Sequence, residues 1–233
     1  MSVETVPTVS HRAKAMTVEQ RLARMEAVHE IQNLMGRYSF LHSANMHQEC
    51  LDLFAMDTPD VRAEMMWGVY EGPEGIKRCY PGFHVWADGD PTGKMHMHAL
   101  TTPVVEVAED LRTARGVWVS PGHETGPSFH KLDDPTPVAN WAWCKYACDF
   151  ILENGEWKIW HLHVYGIFMC AFEKSWAEEP DDMNPDDMPP LPAEYAPDRP
   201  PTTHWNYRPD RVYANEPAPP APYTAFDRVT DAY

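Results

Sequence analysis

Two pairs of histidines with the same spacing stand out among the residues that can do chemistry. His96 and His98 belong to one predicted strand, and His161 and His163 belong to another. Residues two apart on a strand point to the same face of a sheet, so each pair can enter one cavity. Histidine exchanges protons near neutral pH, which makes these side chains candidates for acid and base catalysis. If the two pairs lay on facing strands, they would also suit a metal ion.

Two further residues are candidates for proton transfer. Tyr38 lies on the apolar stripe of a predicted long helix, so its phenol points inward, where a buried hydroxyl needs a partner. His123 follows Pro121 and Gly122, which predict a bend or bulge that turns a side chain toward a cavity. We take Tyr38, His98 and His123 as the candidate catalytic residues. The alternatives are a core tyrosine and a histidine on a surface loop.

The chain is also rich in aromatic residues, with nine Trp, ten Tyr and eight Phe. A curved sheet lined by Trp, Tyr and Met suits a flat aromatic ligand. The candidate substrate-binding residues are His96, Trp67, Trp118, Trp143, Asp149 and His163. The sequence contains no glycine-rich phosphate loop, GxGxxG or Gly-x-Ser-x-Gly motif, so nucleotide-cofactor enzymes and serine hydrolases lack their signatures here. We expect no cofactor, and we expect no resident metal because no acidic ligand stands at an obvious spacing beside the histidine pairs.

The elements that must position these residues are helices followed by strands. Thr17 and Gln20 predict a capping box at the start of a long helix, whose apolar residues recur every three or four positions up to Leu41. Asn154 and Gly155 predict a hairpin turn. Short helices are predicted over 50–54 and 74–79, a loop over 80–93, and strands over 61–70, 94–107, 113–120, 138–153 and 157–168. This order predicts an α+β fold, a cone-shaped α+β barrel in which N-terminal helices pack on a curved antiparallel sheet.

Proline divides the chain into a globular part and an arm. Of the 23 prolines, thirteen lie between Pro180 and Pro222, where they exclude helices and central strands. We therefore predict a flexible N-terminus over 1–16, one domain over 17–173 and an extended Pro-rich arm over 174–233. The arm keeps several aromatic residues, so we expect it to pack on its own or a neighbouring subunit.

Charge and cysteine content exclude several classes of function. The formal net charge of -16 repels phosphate backbones and anionic headgroups, so neither nucleic acid nor a membrane surface is an expected partner. No apolar run reaches the roughly 18 residues that span a bilayer. The five cysteines are odd in number and lack a metal-binding spacing, which favours free thiols and a cytoplasmic location.

Four stretches of the sequence resemble the SnoaL-like branch of the nuclear transport factor 2-like superfamily. They are EAVHEIQNLMGRYSFLHSAN, VYEGPEGIKRCY, HMHALTTPVVEVAEDLRTARGVWV and YACDFILENGEWKIWHLHVYGIF, which together span roughly residues 17 to 170. The resemblance implies a cone-shaped fold, a small-molecule substrate and a homo-oligomer, either a dimer or a trimer. Its cofactor-free members include dehydratases, isomerases and cyclases.

The resemblance also implies roles for particular residues. In enzymes similar to scytalone dehydratase and bile-acid dehydratase, a helix tyrosine and strand histidines act inside the cone, at positions that match Tyr38, His98 and, less closely, His123. Those relatives carry an aspartate near the tyrosine, whereas this chain has no acid over residues 41–45. The carboxylate would then come from one of three other acids, or be missing. The three acids are Asp149, Glu64 and Glu124.

A narrower resemblance is to lyases of lignin-fragment catabolism. Those enzymes act on 1,2-diarylpropane-1,3-diols and release formaldehyde to leave a stilbene. The resemblance implies a lyase that uses general acid and base catalysis on a phenolic aromatic substrate.

Four alternatives remain open. The protein could be a dehydratase or isomerase of a polycyclic or steroid-like substrate, or a metal enzyme built on the two His-x-His pairs. It could also be the small subunit of an aromatic-ring dioxygenase. Finally, it could be a non-catalytic binding or assembly module, in which case Tyr38, His98 and His123 would not share one cavity.

Overall fold

A computed structural model describes residues 16–126, 136–178, 190–228 and 231–233. The first helix, α1 (Val18–Ser43), begins at the predicted capping box. Gln20 N donates to Thr17 Oγ1 at 3.2 Å, and Thr17 N donates to Gln20 Oε1 at 3.0 Å. Its buried face carries Ala27, Ile31, Leu34, Met35, Tyr38 and His42. The flexible N-terminus predicted over 1–16 lies, apart from its last residue, outside the described residues.

The region after α1 contains one strand more than was predicted. A 3-10 helix (Glu49–Leu53) is followed by two antiparallel strands, β1 (Arg62–Met65) and β2 (Gly68–Glu71), where one strand was predicted. The tight turn between them is possible because Gly68 has a φ of 155°.

The predicted loop over 80–93 is wrong, because most of it is helical. Helix α2 (Gly72–Lys77) continues through a π-helical turn (Arg78–His84) into α3 (Val85–Asp88). Pro81 lies inside the π-helical turn and has no N–H to donate, which interrupts the regular helical hydrogen bonding there. Burial of the neighbouring aromatic side chains outweighs the low helix propensity of proline and glycine.

The remaining strands complete a seven-stranded sheet. They are β3 (Met95–His98), β4 (Thr101–Val107), β5 (Thr113–Gly126), β6 (Val138–Glu153) and β7 (Glu156–Ala171). The order is β2-β1-β7-β6-β5-β3, with β4 also paired to β5. The predicted α+β plan of helices on a curved sheet is confirmed. The sheet is mixed rather than antiparallel, because β1 runs parallel to β7, and it does not close into a barrel.

Two irregularities interrupt the long β6–β7 ladder. Trp143 pairs with Phe168 and Cys144 with Gly166, so Ile167 is an extra residue on β7. A similar shift after Asp149 makes Trp160 an extra residue. Such bulges bend a strand and redirect the side chains beside it. The predicted hairpin turn at the end of β6 is confirmed, with positive φ at both central residues.

The described part of the C-terminal segment (190–228 and 231–233) contains no helix and contacts the sheet of the same chain. Val69 N donates to the Arg199 carbonyl at 2.9 Å, and Asn206 N donates to the Gly166 carbonyl at 2.9 Å. Residues 179–189 and 229–230 of the arm predicted over 174–233 lie outside the described residues. None of the helices in the described ranges combines the length and apolar character needed to cross a membrane.

Candidate active site

A cavity lies between the end of α1, the π-helical turn and the concave face of the sheet. Most of its wall is apolar, formed by residues that include Met65, Met66, Trp67, Phe83, Trp143, Val164, Met169 and Trp205. Its polar and titratable lining residues are His42, His84, Asp88, His96, His98, Glu124, Cys144 and Tyr146. A mostly apolar cavity with a few convergent titratable groups is the usual form of a small-molecule site.

The central polar contact of the cavity joins His98 of β3 to Glu124 of β5. His98 Nε2 lies 2.9 Å from Glu124 Oε1. In the β3–β5 register His98 stands opposite Gly122, while Glu124 stands opposite His96. A Cβ at Gly122 would lie 2.8 Å from His98 Nδ1 and nearer still to the Ala142 carbonyl oxygen. Glycine therefore leaves the space in which the imidazole lies against β5.

The environment keeps this pair ionised. Burial by itself lowers the pKa of His98, but the neighbouring side chains of Cys144 and Glu124 outweigh it and raise that pKa to about 10. Burial raises the pKa of Glu124, and the contact with His98 reverses this, so the pKa of the carboxyl is lowered overall. Near neutral pH the pair is an imidazolium facing a carboxylate, and His98 is a proton donor.

Two other imidazoles of the cavity are held neutral. Burial lowers the pKa of His42 well below its usual range, and the nearby His84 lowers it further. Burial and the neighbouring His47 lower the pKa of His84 to about 3. The ring centroid of His42 lies 5.5 Å from that of His98. A charged histidine thus stands beside neutral ones, an arrangement that separates proton donors from proton acceptors.

Hydrogen bonds define what the neutral rings offer to a ligand. His84 Nδ1 lies 2.7 Å from the Cys79 carbonyl oxygen, which can only accept, so Nδ1 carries the proton and Nε2 keeps its lone pair. Within the part of the chain that the structure describes, His42 Nδ1 is buried without a hydrogen-bond partner. Unpaired buried polar atoms on a cavity wall are positions where a ligand can bind.

Asp88 lines the cavity and contacts two histidines. Its two carboxylate oxygens each lie 3.2 Å from an imidazole Nε2, Oδ1 from that of His96 and Oδ2 from that of His47. Burial raises the pKa of Asp88, but its contacts with these two imidazoles dominate and lower it. Burial lowers the pKa of His96, and the bond to Asp88 reverses the shift and raises it.

A family comparison agrees with this architecture. The SnoaL-like domain model matches residues 23–163, which is more than half of the chain and runs from α1 into β7. The chain belongs to the SnoaL-like domain family. The resemblance inferred from the sequence stretches is therefore confirmed. Among curated proteins, none matches the sequence.

Solved structures share the fold of this SnoaL-like domain. The crystal structure of LinA is 14% identical with a TM-score of 0.52, and the match covers 67% of this chain and 96% of LinA. The hexachlorocyclohexane dehydrochlorinase LinA-type3 from Novosphingobium barchaimii LL02 is 16% identical with a TM-score of 0.51, covering 66% of this chain and 96% of that protein. At these identities the similarity establishes the fold alone.

Tyr38 lies one layer behind the cavity of the SnoaL-like domain. Its hydroxyl is 3.0 Å from that of Tyr80, and its ring packs 5.9 Å from that of Tyr146, which does line the cavity. Burial raises the pKa of Tyr38 well above its usual value. Tyr38 therefore packs behind Tyr146 and behind His42, whose ring centroid lies 5.6 Å from its own.

His123 and Trp118 lie outside the cavity. His123 precedes Glu124 on β5, so its side chain is on the opposite face, where its ring packs 4.9 Å from that of Trp141. Trp118 is buried in the core with its ring 6.0 Å from that of Phe150. Of the three candidate catalytic residues, the structure places only His98 on the cavity wall. Among the substrate-binding candidates, the wall contains His96, Trp67 and Trp143.

The last two candidates belong to the other face of the sheet. Asp149 Oδ2 lies 2.8 Å from His161 Nδ1, and His163 Nε2 lies 3.0 Å from Thr203 Oγ1 of the C-terminal segment and 3.2 Å from Glu64 Oε1. The two His-x-His pairs thus do not face each other. Among the described residues, no three His, Cys, Asp or Glu side chains are grouped to hold a metal ion.

Sequence reasoning missed His42, His84 and Asp88, and named Glu124 only as one of three possible carboxylates. One signal was available: His42 follows Tyr38 by four positions and so shares the buried face of α1. His84 and Asp88 lie in the segment that was predicted to be a loop. Their approach to the cavity depends on the π-helical turn.

Proposed function

We propose that this protein is a cofactor-independent lyase that uses general acid and base catalysis on a phenolic aromatic substrate. The most concrete candidate is a lignin-derived 1,2-diarylpropane-1,3-diol, which would lose water and formaldehyde to give a stilbene. The observation that carries the proposal is the imidazolium of His98, held by Glu124, beside the neutral His42 in a cavity walled by tryptophans.

The first step of the proposed reaction is loss of the benzylic hydroxyl. His98 donates its proton to the leaving oxygen, and the C–O bond breaks to release water. His42 Nδ1 accepts the proton of the para-phenol, and the electron pair moves through the ring to give a quinone methide. The low pKa of His42 suits a group that must later return this proton.

The second step restores both histidines. His98, now neutral, accepts the proton of the γ-hydroxyl, and the bond between the β and γ carbons breaks to release formaldehyde. Its electron pair forms the new C=C bond, and the ring becomes a phenolate that recovers its proton from His42. The sum is one diol giving one stilbene, one water and one formaldehyde, with no net proton change in the protein.

Two other functions remain as outcomes of the test. The same acid and base would run a simple dehydration if the second proton came from carbon, without release of formaldehyde. A binding module is favoured by the position of His123 outside the cavity. It is opposed by the ionised His98–Glu124 pair and by the unpartnered His42 Nδ1, which a passive apolar site would not need.

The test is an assay with a phenolic 1,2-diarylpropane-1,3-diol that follows stilbene absorbance and formaldehyde together. We expect His98→Gln to lower kcat by roughly 10²- to 10⁴-fold. His161→Gln is the matched control, because His161 also contacts a buried carboxylate but lies outside the cavity wall. An unchanged rate in His98→Gln would overturn the assignment. Water loss without formaldehyde would indicate a dehydratase, and binding without turnover would indicate a module.

A further inference from the structure

One wall of the cavity comes from the C-terminal segment and not from the matched domain. Trp205 is 5% exposed and packs with Met66, Ala142 and Met169. All four side chains line the cavity that contains His98. The family model ends at residue 163, so this aromatic wall is a feature of the chain beyond the matched region.

The main chain around Trp205 is attached to β7 at its bulge. Because Ile167 is the extra residue there, the ladder to β6 is interrupted. Asn206 N donates to the Gly166 carbonyl at 2.9 Å, and Tyr207 N donates to the Ile167 carbonyl at 3.0 Å. The bulge thus provides the two acceptors that hold the segment beside the cavity.

Gly166 gives the indole its place against the strand. A Cβ at this position would lie 2.6 Å from Cζ3 of Trp205 and 3.0 Å from the sulfur of Met66. Real Cβ atoms do not approach a ring so closely, so any other residue would displace the indole. The glycine of β7 and the tryptophan of the segment are therefore matched in shape.

A turn further along the segment restricts the position of Trp205. The Asn206 side chain donates to the carbonyls of Ala214 and Glu216 at 3.0 and 3.2 Å, and accepts from Ala214 N at 3.2 Å. Arg211 donates to the carbonyls of Trp205 and Asn206. Contacts on both sides of Trp205 thus restrict its position, as expected of a residue whose placement matters.

The His98–Glu124 pair lies on β3 and β5, whereas Trp205 packs against β7. Glu124 is on β5 and Gly166 is on β7, with β6 between them. Two interstrand spacings of about 4.8 Å place β5 about 10 Å from β7. A substrate whose reacting carbon meets His98 would therefore carry a second ring toward Trp205.

We infer that Trp205 is a specificity-determining residue, whose indole packs against the substrate ring farther from His98 and so selects two-ring over one-ring phenols. This inference rests on the proposed function of the same cavity. The C-terminal segment is then part of the active site, attached to it through the bulge at Ile167.

The experiment compares a phenolic 1,2-diarylpropane-1,3-diol with 1-(4-hydroxyphenyl)propane-1,3-diol, which lacks the second ring. In Trp205→Ala we expect kcat/KM for the two-ring diol to fall by roughly 10- to 100-fold, mainly through KM, because a large aromatic contact is lost. The one-ring diol should change by less than about threefold. Trp205→Phe should recover most of the selectivity.

Tyr207→Ala is the matched control, since Tyr207 lies on the same segment but packs on Phe168 outside the cavity wall. It should leave the ratio between the two substrates unchanged. Gly166→Ala is a second variant that displaces the indole without removing it, and it should lower selectivity in the same direction. Thermal melts establish that each variant is folded. Equal losses on both substrates, or an unchanged ratio in all three cavity variants, would overturn the inference.

Binding measurements separate this inference from the proposed function. The probes are 4,4'-dihydroxystilbene and 4-hydroxystyrene, followed by quenching of tryptophan fluorescence. If the wild-type protein turns over neither diol, the proposed lyase function fails. A preference for the stilbene that Trp205→Ala abolishes would still support the role of Trp205. If turnover occurs and the ratio is insensitive to Trp205, the lyase function stands and the inference fails.

Discussion

Both faces of the sheet carry a buried histidine paired with a carboxylate, but the two pairs have different surroundings. On the concave face His98 lies 2.9 Å from Glu124, and on the other face His161 lies 2.8 Å from Asp149. The first pair lines the cavity beside His42, whose Nδ1 has no hydrogen-bond partner among the described residues. A buried histidine–carboxylate pair is therefore a candidate for catalysis only where neighbouring groups leave room for a ligand.

Asp149 is surrounded by the C-terminal residue of the chain and by arginine side chains. Tyr233 N donates to the same carboxylate oxygen at 3.0 Å, and the Arg115 guanidinium lies 4.2 Å from the centroid of the Tyr233 ring. Arg62 donates to the main-chain oxygen of Tyr233. Asp149 is fully buried by these contacts. Its charge therefore holds the C-terminal segment on the sheet, whereas that of Glu124 is directed at the cavity.

The largest expected effect on stability comes from breaking the pair on the segment side. Asp149→Ala removes the carboxylate from the buried His161 and from the partly buried Arg115, 3.4 Å away, and we expect the free energy of unfolding to fall by about 3–5 kcal/mol. Urea denaturation measures it. Glu156→Ala is the control, because this exposed acid pairs with Lys158 at the surface, and its removal should leave the free energy of unfolding nearly unchanged. Equal losses in the two variants would contradict the structural role.

A smaller effect is expected from filling the space behind the cavity pair. Gly122→Ala places a Cβ against His98 and the Ala142 carbonyl, and overpacking of this kind costs roughly 1–3 kcal/mol. We expect turnover to fall as well, because the imidazole must shift. Gly36→Ala on α1 is the control: its Cβ would meet no atom within 4 Å, and alanine should stabilise the helix by about 0.5–1 kcal/mol. A neutral Gly122→Ala would show that His98 does not need this space.

The smallest expected effect is a change in how the free energy of unfolding depends on pH when the His98–Glu124 pair is broken. The pKa of His98 is raised from 6.5 to about 10, so its ionic contact stabilises the fold fully below pH 6.5. This stabilisation is lost as the pH rises through about 10. Glu124→Gln removes the carboxylate, so burial prevails, the pKa of His98 falls and the loss moves to lower pH. Urea titrations at pH 6 to 10 measure the shift. Glu71→Gln is the control, because this exposed carboxylate pairs with Arg199, and its stability should depend on pH as in the wild type. The same pH dependence in the wild type, Glu124→Gln and Glu71→Gln would contradict an ionised His98–Glu124 pair.

Much of the scaffold was predictable because it depends on local patterns. The capping box at Thr17, the apolar stripe of α1 and the turn at Asn154 and Gly155 each follow from a few neighbouring residues. The π-helical turn was not predictable, since Pro81 and Gly82 disfavour a helix until the aromatic rings beside them are buried. His84 and Asp88 were missed for the same reason.

The candidate site was predictable only in part. His98, His96, Trp67 and Trp143 were named from residue type and strand position, and all four line the cavity. His123 was named for its bend, but β5 continues without interruption through that point, so alternation places Glu124 inward. Trp143 alternates with Ala142 and Cys144 along β6, and its ring stacks on that of Phe168, with 5.9 Å between the centroids.

The sequence by itself determined the α+β class, the family and the presence of a histidine on the cavity wall, because helix caps, periodicity and turn residues act over a few positions. Only the tertiary structure decided which carboxylate joins which histidine and which tryptophans form the wall. Those choices depend on strand register, on two bulges and on a segment that returns to place Trp205, 34 residues beyond the end of β7, beside Gly166. Distant pairings of this kind are set by packing of the whole chain, which no local pattern encodes.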